Sequence, residues 1–124
     1  MFIVISPLNP DPMYKQITDQ IKDAIAAGAM KPETKLPSIR EMSKELQISM
    51  ITIKRAYADL ENEGYILTRS GMGSYIADIN KDQLREEKLK EIRIDLNKIR
   101  EAAAKFDISE EDIIQIINES GEEK

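Results

Sequence analysis

Lys35, Ser38 and Arg40, followed by Ser49, Thr52 and Lys54, gather cations and hydroxyls into two short clusters. Such groups hydrogen-bond oxyanions, but they do not make or break covalent bonds without a base or a metal beside them. The usual supply of those is missing. The sequence has no histidine and no cysteine, which excludes Cys/His zinc sites, cysteine nucleophiles and histidine-dependent triads. It also has no phosphate-binding loop. The chemistry left to the clusters is recognition of a polyanion, with the hydroxyls donating to phosphate or base and Lys54 meeting phosphate or a base edge. No enzymatic activity and no cofactor are expected.

A net charge of −5 and a pI near 4.9 look unsuited to that task, yet the charge is unevenly spread. From Lys31 to Arg55, six Lys/Arg (31, 35, 40, 44, 54, 55) stand against three Glu (33, 41, 45), a local +3. From Lys81 onward nine Lys/Arg stand against thirteen Asp/Glu, a local −4. The field at a bound polyanion is set by charges within a Debye length, ~8–10 Å, so the local sum decides. Binding through such a patch is strongly salt-dependent.

Short helices have to carry these residues. Residues 1–12, with an apolar start and prolines at 7, 10 and 12, read as an extended arm. Tyr14, Ile17, Ile21, Ala24 and Ile25 recur at helical spacing and predict a helix from Met13 to about Ala27, closed by Gly28 and Pro32. Ser38 caps a second helix with Glu41 as capping-box partner. Its inner face is Ile39, Met42 and Leu46, with Arg40 and Lys44 on the other side. Ser49 caps a third helix, Ile48 and Ile53 staple it, and Ile53, Ala56, Tyr57 and Leu60 face inward. Asp59, Glu61 and Glu63 fall late in this helix, clear of its N-terminal end. After Gly64, two β-type runs flank Gly71-Met72-Gly73, where a hairpin loop needs positive φ. Helix, turn, helix and hairpin in that order predict a winged helix whose third helix enters the DNA major groove.

Past Asp78 the composition shifts. Leu89, Ile92, Leu96, Ile99, Ala103 and Phe106 follow a 3-4-3-4-3 spacing, an a/d seam. Ser109 and Asp112 cap a last helix, stapled by Ile108 and Ile113, whose apolar face is Ile113, Ile114, Ile116 and Ile117. Gly121-Glu122-Glu123-Lys124 reads as a frayed tail. Two helices of this size cannot hide both apolar faces from water, so the pattern predicts a dimer interface. The acidic triplet Glu110-Glu111-Asp112 complements a helix N-terminus rather than a metal.

Tyr14-x-Gln16-Ile17, Gly28-x-Met30-x-Pro32, Leu36-Pro37-Ser38-x-Arg40, Ser49-x-x-Thr52, Ala56-Tyr57-x-x-Leu60-x-x-Glu63-Gly64-Tyr65 and Gly71-x-Gly73-x-Tyr75 together resemble the GntR family of bacterial transcription regulators. The resemblance covers residues 11–79 almost without gaps, and the short C-terminal part is similar to that of the YtrA subfamily. It implies a winged helix-turn-helix DNA-binding domain over 11–79 and a two-helix dimerisation domain over 80–124. The fold would be mainly α with a small β-hairpin wing. The implied function is a sequence-specific transcription regulator, a repressor, binding an inverted-repeat operator in double-stranded DNA as a homodimer. Arg40 matches the arginine that reaches a guanine, where its planar fork meets O6 and N7 together.

The residues expected at DNA are Lys35, Ser38, Arg40, Ser49, Met50, Ile51, Thr52, Lys54, Arg69, Gly71 and Gly73. Ser38 and Ser49 would serve as caps as well, while Lys44 and Arg55 read as solvated charges. The dimer interface would comprise Leu89, Ile92, Leu96, Ile99, Ala103, Phe106, Ile113, Ile114 and Ile117. Two residues depart from the family pattern: Glu33-Thr34 stands where a turn glycine is usual, and Met50 where arginine is usual. At Met50 the contact left open is with a thymine methyl.

The length suits one domain or one with an appendage. The N-terminus lacks the basic region of a signal peptide and no run is long enough to span a bilayer. The expectation is a soluble, cytoplasmic protein with no membrane partner. An effector would be a small molecule that the sequence does not identify. The acidic pI and Met50 keep one alternative open, a winged helix used for protein or RNA contact.

Overall fold

The computed structural model describes residues 3–122. The chain divides into two compact units, residues 1–81 and 82–124. In the first unit, α1 (Met13–Ala26), α2 (Ile39–Leu46) and α3 (Met50–Asn62) precede the strands β1 (Ile66–Arg69) and β2 (Gly73–Ile76). α3 packs on α1 and α2, and β1 leans on α3. Ile17, Ile21, Leu36, Met42, Ile53, Leu60, Ile66 and Ile76 close a core that contains no unpaired buried side-chain polar atom among the described residues.

The N-terminal arm is strapped to α1 by two glutamines, with Ile3 buried. The Gln20 amide accepts from Val4 N–H (3.0 Å) and donates to Val4 C=O (2.8 Å). Gln16, itself buried, accepts from Ser6 N–H (3.0 Å) and donates to the carbonyls of Ser6 and Asp11 (3.3 and 3.0 Å). Each amide thus pairs with an extended chain as a neighbouring strand would. Met1 and Phe2, at the start of the expected arm, lie outside the described residues.

The helix ends follow local chemistry. Ser38 and Glu41 form the expected capping box, with N–H···O distances of 3.0 and 3.1 Å. The Ser49 hydroxyl accepts from Thr52 N–H at 3.3 Å. α1 and α3 both close on a left-handed glycine, Gly28 and Gly64. In α2 the same role falls to Gln47 (φ 56°), which makes the tight turn into α3. Of the expected inner face of α2, Met42 is fully buried, whereas Ile39 and Leu46 are half-buried at its edges.

β1 and β2 pair antiparallel, Ile66 opposite Ile76 and Arg69 opposite Gly73. A third extended segment, residues 33–36, adds to the free edge of β2. Glu33 N–H donates to Ile76 C=O, Ile76 N–H to Thr34 C=O and Leu36 N–H to Ser74 C=O, at 2.8, 2.9 and 2.9 Å. An isolated two-stranded hairpin is marginal in water, so this edge helps to hold the wing.

The second unit holds α4 (Lys81–Ala104), apart from its first residue, and α5 (Glu110–Glu122). No residue of α4 is buried within the single chain. The expected seam needs correction at its end. α4 stops at Ala104, and Ile108 N–H donates to Ala103 C=O (3.1 Å) and Asp107 N–H to Ala104 C=O (3.3 Å), with Asp107 left-handed (φ 57°). This is a Schellman turn. Phe106 therefore lies in the turn rather than on the helical stripe, and is 78 % exposed. Ser109 and Asp112 cap α5 reciprocally, at 2.9 and 3.2 Å. α5 also runs further than expected, taking in Gly121; Glu123 and Lys124 of the expected frayed tail lie outside the described residues. No helix among the described residues is long and apolar enough to cross a membrane.

Candidate nucleic-acid interface

Arg40 is the second residue of α2, exposed, and held by no ion pair or hydrogen bond among the described residues. Its position depends on the turn before it. The Tyr57 hydroxyl, carried on α3, donates to Pro37 C=O at 2.7 Å and so pins the Leu36-Pro37-Ser38 turn against the helix behind it. Burial, and then the Glu41 and Glu45 carboxylates, push this phenol well above its usual range, so it remains a donor at any working pH. The spacing pattern placed Tyr57 only in the core stripe. Its second role depends on a bond 20 residues away in sequence, which periodicity does not reveal. Tyr57→Phe should cost ~1–2 kcal/mol of folding stability, because the Pro37 carbonyl loses its donor while the ring still packs. A urea unfolding curve would show it, and an unchanged midpoint would mean that the turn is held by other means.

The first turn of α3 carries Met50, Ile51 and Thr52 behind the Ser49 cap. Met50 is 46 % and Ile51 82 % exposed. Thr52 is half-buried, and its hydroxyl lies 3.0 Å from that of Ser49. Lys54, four residues after Met50, is exposed and without a partner among the described residues. Arg55, expected as a solvated charge, instead stacks on the Tyr14 ring, its guanidinium carbon 3.7 Å from the ring centre. The helix thus leaves Lys54 to solvent and commits Arg55 to α1.

At the wing, Gly71 (φ 73°) and Gly73 (φ 109°) frame the loop, and a Cβ on Gly73 would meet the Lys35 side chain at 3.0 Å. Lys35 therefore lies along the wing, paired in a bridge with Tyr75. Arg69 is not free. Its guanidinium donates to Glu33 at 2.7 Å and lies over the Tyr75 ring at 4.5 Å. The Glu33 carboxylate, through that hydrogen bond first, holds Arg69 firmly protonated. Glu33 itself is left-handed (φ 69°), so the turn keeps a conformation natural to glycine at a residue where it costs ~1–2 kcal/mol. The carboxylate on Arg69 is the visible gain.

In the second unit, Ile92, Leu96 and Ile99 are 38–50 % exposed, and Leu89, Ala103 and Ile113 are half-buried. Ile114, Ile116 and Ile117 are exposed on α5. No cluster of acidic side chains among the described residues could hold a metal ion.

Comparisons with known proteins agree with this architecture. The model of the family described as bacterial regulatory proteins, gntR family, matches residues 13–76. The HTH-type transcriptional repressor YtrA of Bacillus subtilis (strain 168) is 39 % identical over 97 residues, 78 % of this chain and 75 % of that protein. A transcriptional antiterminator from Listeria monocytogenes EGD-e superimposes with a TM-score of 0.76 at 26 % identity, over 98 % of this chain and 90 % of that one. The DNA-binding domain of AraR, solved in complex with operator ORX1, does so with a TM-score of 0.53 at 29 % identity, over 60 % and 92 %. With its capped α2 and α3, its glycine-framed wing and a short two-helix tail like that of the YtrA subfamily, the chain belongs to the GntR family, as a winged-helix DNA-binding transcription regulator.

Proposed function

We propose that this regulator is a repressor that binds an inverted-repeat operator as a homodimer joined through α4 and α5. The observation that carries the dimer is the apolar stripe of the second unit. Ile92, Leu96 and Ile99 on α4, and Ile114 and Ile117 on α5, are exposed in the single chain, and an aliphatic seam of that length calls for a second copy. A two-fold axis through the seam would present two reading heads to two half-sites in opposite orientation. In each head Arg40 reads a base, and Lys54, Lys35, Ser38, Ser49 and Thr52 meet the strand around it. Gly71 and Gly73 bring the wing backbone close to the sugar-phosphate chain. Repression is supported by the name of the Bacillus subtilis relative.

Sedimentation of the full chain at micromolar concentration, followed by a shift assay on paired and single half-sites, tests the assembly. A dimer that needs both half-sites is expected, and a monomer would refute it. Transcription from a promoter overlapping the operator should fall when the protein is added.

Arg69 adds a prediction. Glu33 occupies its guanidinium as a phosphate would, so Glu33→Gln should release a cation to the DNA. Operator affinity should rise and the plot of log Kobs against log salt should steepen by about 0.9. An unchanged slope would show that Arg69 stays off the backbone.

The description of the Listeria protein as an antiterminator favours one other reading, contact with RNA. Competition of the same shift by duplex DNA and by RNA of equal length separates the two.

A further inference from the structure

The first turn of α3 is apolar where a polyanion would call for charge. Ile51 is 82 % exposed and Met50 46 %, while the inward face of the same helix is already closed by Ile53, Ala56, Tyr57 and Leu60. Folding gives no reason for this pair. A β-branched isoleucine is not a strong helix former, and the cap is supplied by Ser49. Exposed Lys54 follows on the same helix, and Arg40 sits on the preceding one; neither has a partner among the described residues. Two apolar side chains in the turn that carries the Ser49 and Thr52 hydroxyls, one turn before Lys54, suit a surface that is anionic at its edges and apolar at one spot.

The DNA major groove is such a surface. Residues at the N-terminus of this helix face base edges there, and the apolar group a base presents to them is the C5 methyl of thymine. We propose that Met50 and Ile51 read thymine methyl groups, so that each operator half-site carries A·T pairs with thymines beneath the first turn of α3. The proposal rests on the reading of DNA by α3. It adds the base class that this chain selects at positions where a charged residue would select guanine.

Uracil differs from thymine at this edge only by the missing methyl, which makes it the probe. The full-length protein would first select its operator from a random duplex pool. Thymines of the selected site would then be replaced by uracil one at a time. At one or two positions per half-site, affinity should fall about fourfold for each methyl group removed. Met50→Ala and Ile51→Ala, at exposed positions that leave the core intact, should bind the thymine and uracil operators equally at the position each reads. Sequence preference with no uracil penalty, or a penalty that survives in both variants, would overturn the methyl contact alone. A chain that enriches no duplex sequence would instead overturn the reading of DNA by α3.

Discussion

Arg40→Ala should lower affinity for the selected operator by ~1–3 kcal/mol, roughly 5- to 150-fold, while leaving the fold untouched. The stability half of this expectation follows from the structure. Arg40 is exposed and makes no hydrogen bond or ion pair among the described residues, and surface changes of that kind stay within about 0.5 kcal/mol. The affinity half follows from geometry, since α2 carries the guanidinium at its exposed N-terminal turn and the Tyr57–Pro37 bond keeps that turn in place. Lys54→Ala is the natural comparison. It should weaken all duplexes more evenly and reduce the salt slope by about one phosphate contact. If Arg40→Ala weakened binding but left the preference at every base pair intact, Arg40 would be a phosphate ligand and the docking of α2 would need revision.

A larger loss is expected from the other end of the chain. Leu96→Glu with Ile99→Glu should convert a dimer into a monomer and lower affinity for a two-half-site operator by ~10²–10⁴-fold, because the second contact becomes intermolecular again. The design depends on exposure. Leu96 and Ile99 are 38 % and 50 % exposed in the single chain, so carboxylates there cost the isolated helix little. Across a seam they would bury unpaired charge. Affinity for a single half-site should be preserved, which separates a failure of assembly from a failure of reading. A dimer that survived both substitutions would place the interface elsewhere.

Much of this architecture was legible in the sequence, and the limits have physical causes. Ser38 with Glu41, Ser49 and Ser109 with Asp112 announced the helix starts because capping is a bond between near neighbours. Gly28, Gly64 and Gly71 announced their turns because a side chain makes positive φ costly. Glu33 adopts the same conformation with a side chain, at the turn where the family pattern has glycine; Gln47 and Asp107 adopt it too, and nothing local marks those two. Asp107 matters most, since it ends the helix before Phe106 while the apolar spacing carries on through it. The partners of Arg55 and Arg69 were equally hidden. Both are cations by type, and only the fold brings the Tyr14 ring and the Glu33 carboxylate to them. The Gln16 and Gln20 straps escape for the same reason, being side chains that imitate a strand.

The edge made by residues 33–36 has one more consequence. The chain that pairs with β2 through Leu36 runs directly into the Pro37-Ser38 turn and then into Arg40. The wing and Arg40 therefore sit on one continuous, hydrogen-bonded piece of backbone. Opening either one exposes the amides of both, so the two should unfold locally as one cooperative unit rather than fray apart. A DNA site that lifted the wing would therefore also pull on α2. If the wing and Arg40 both touch DNA as proposed, a change of sequence under one would be felt by the other.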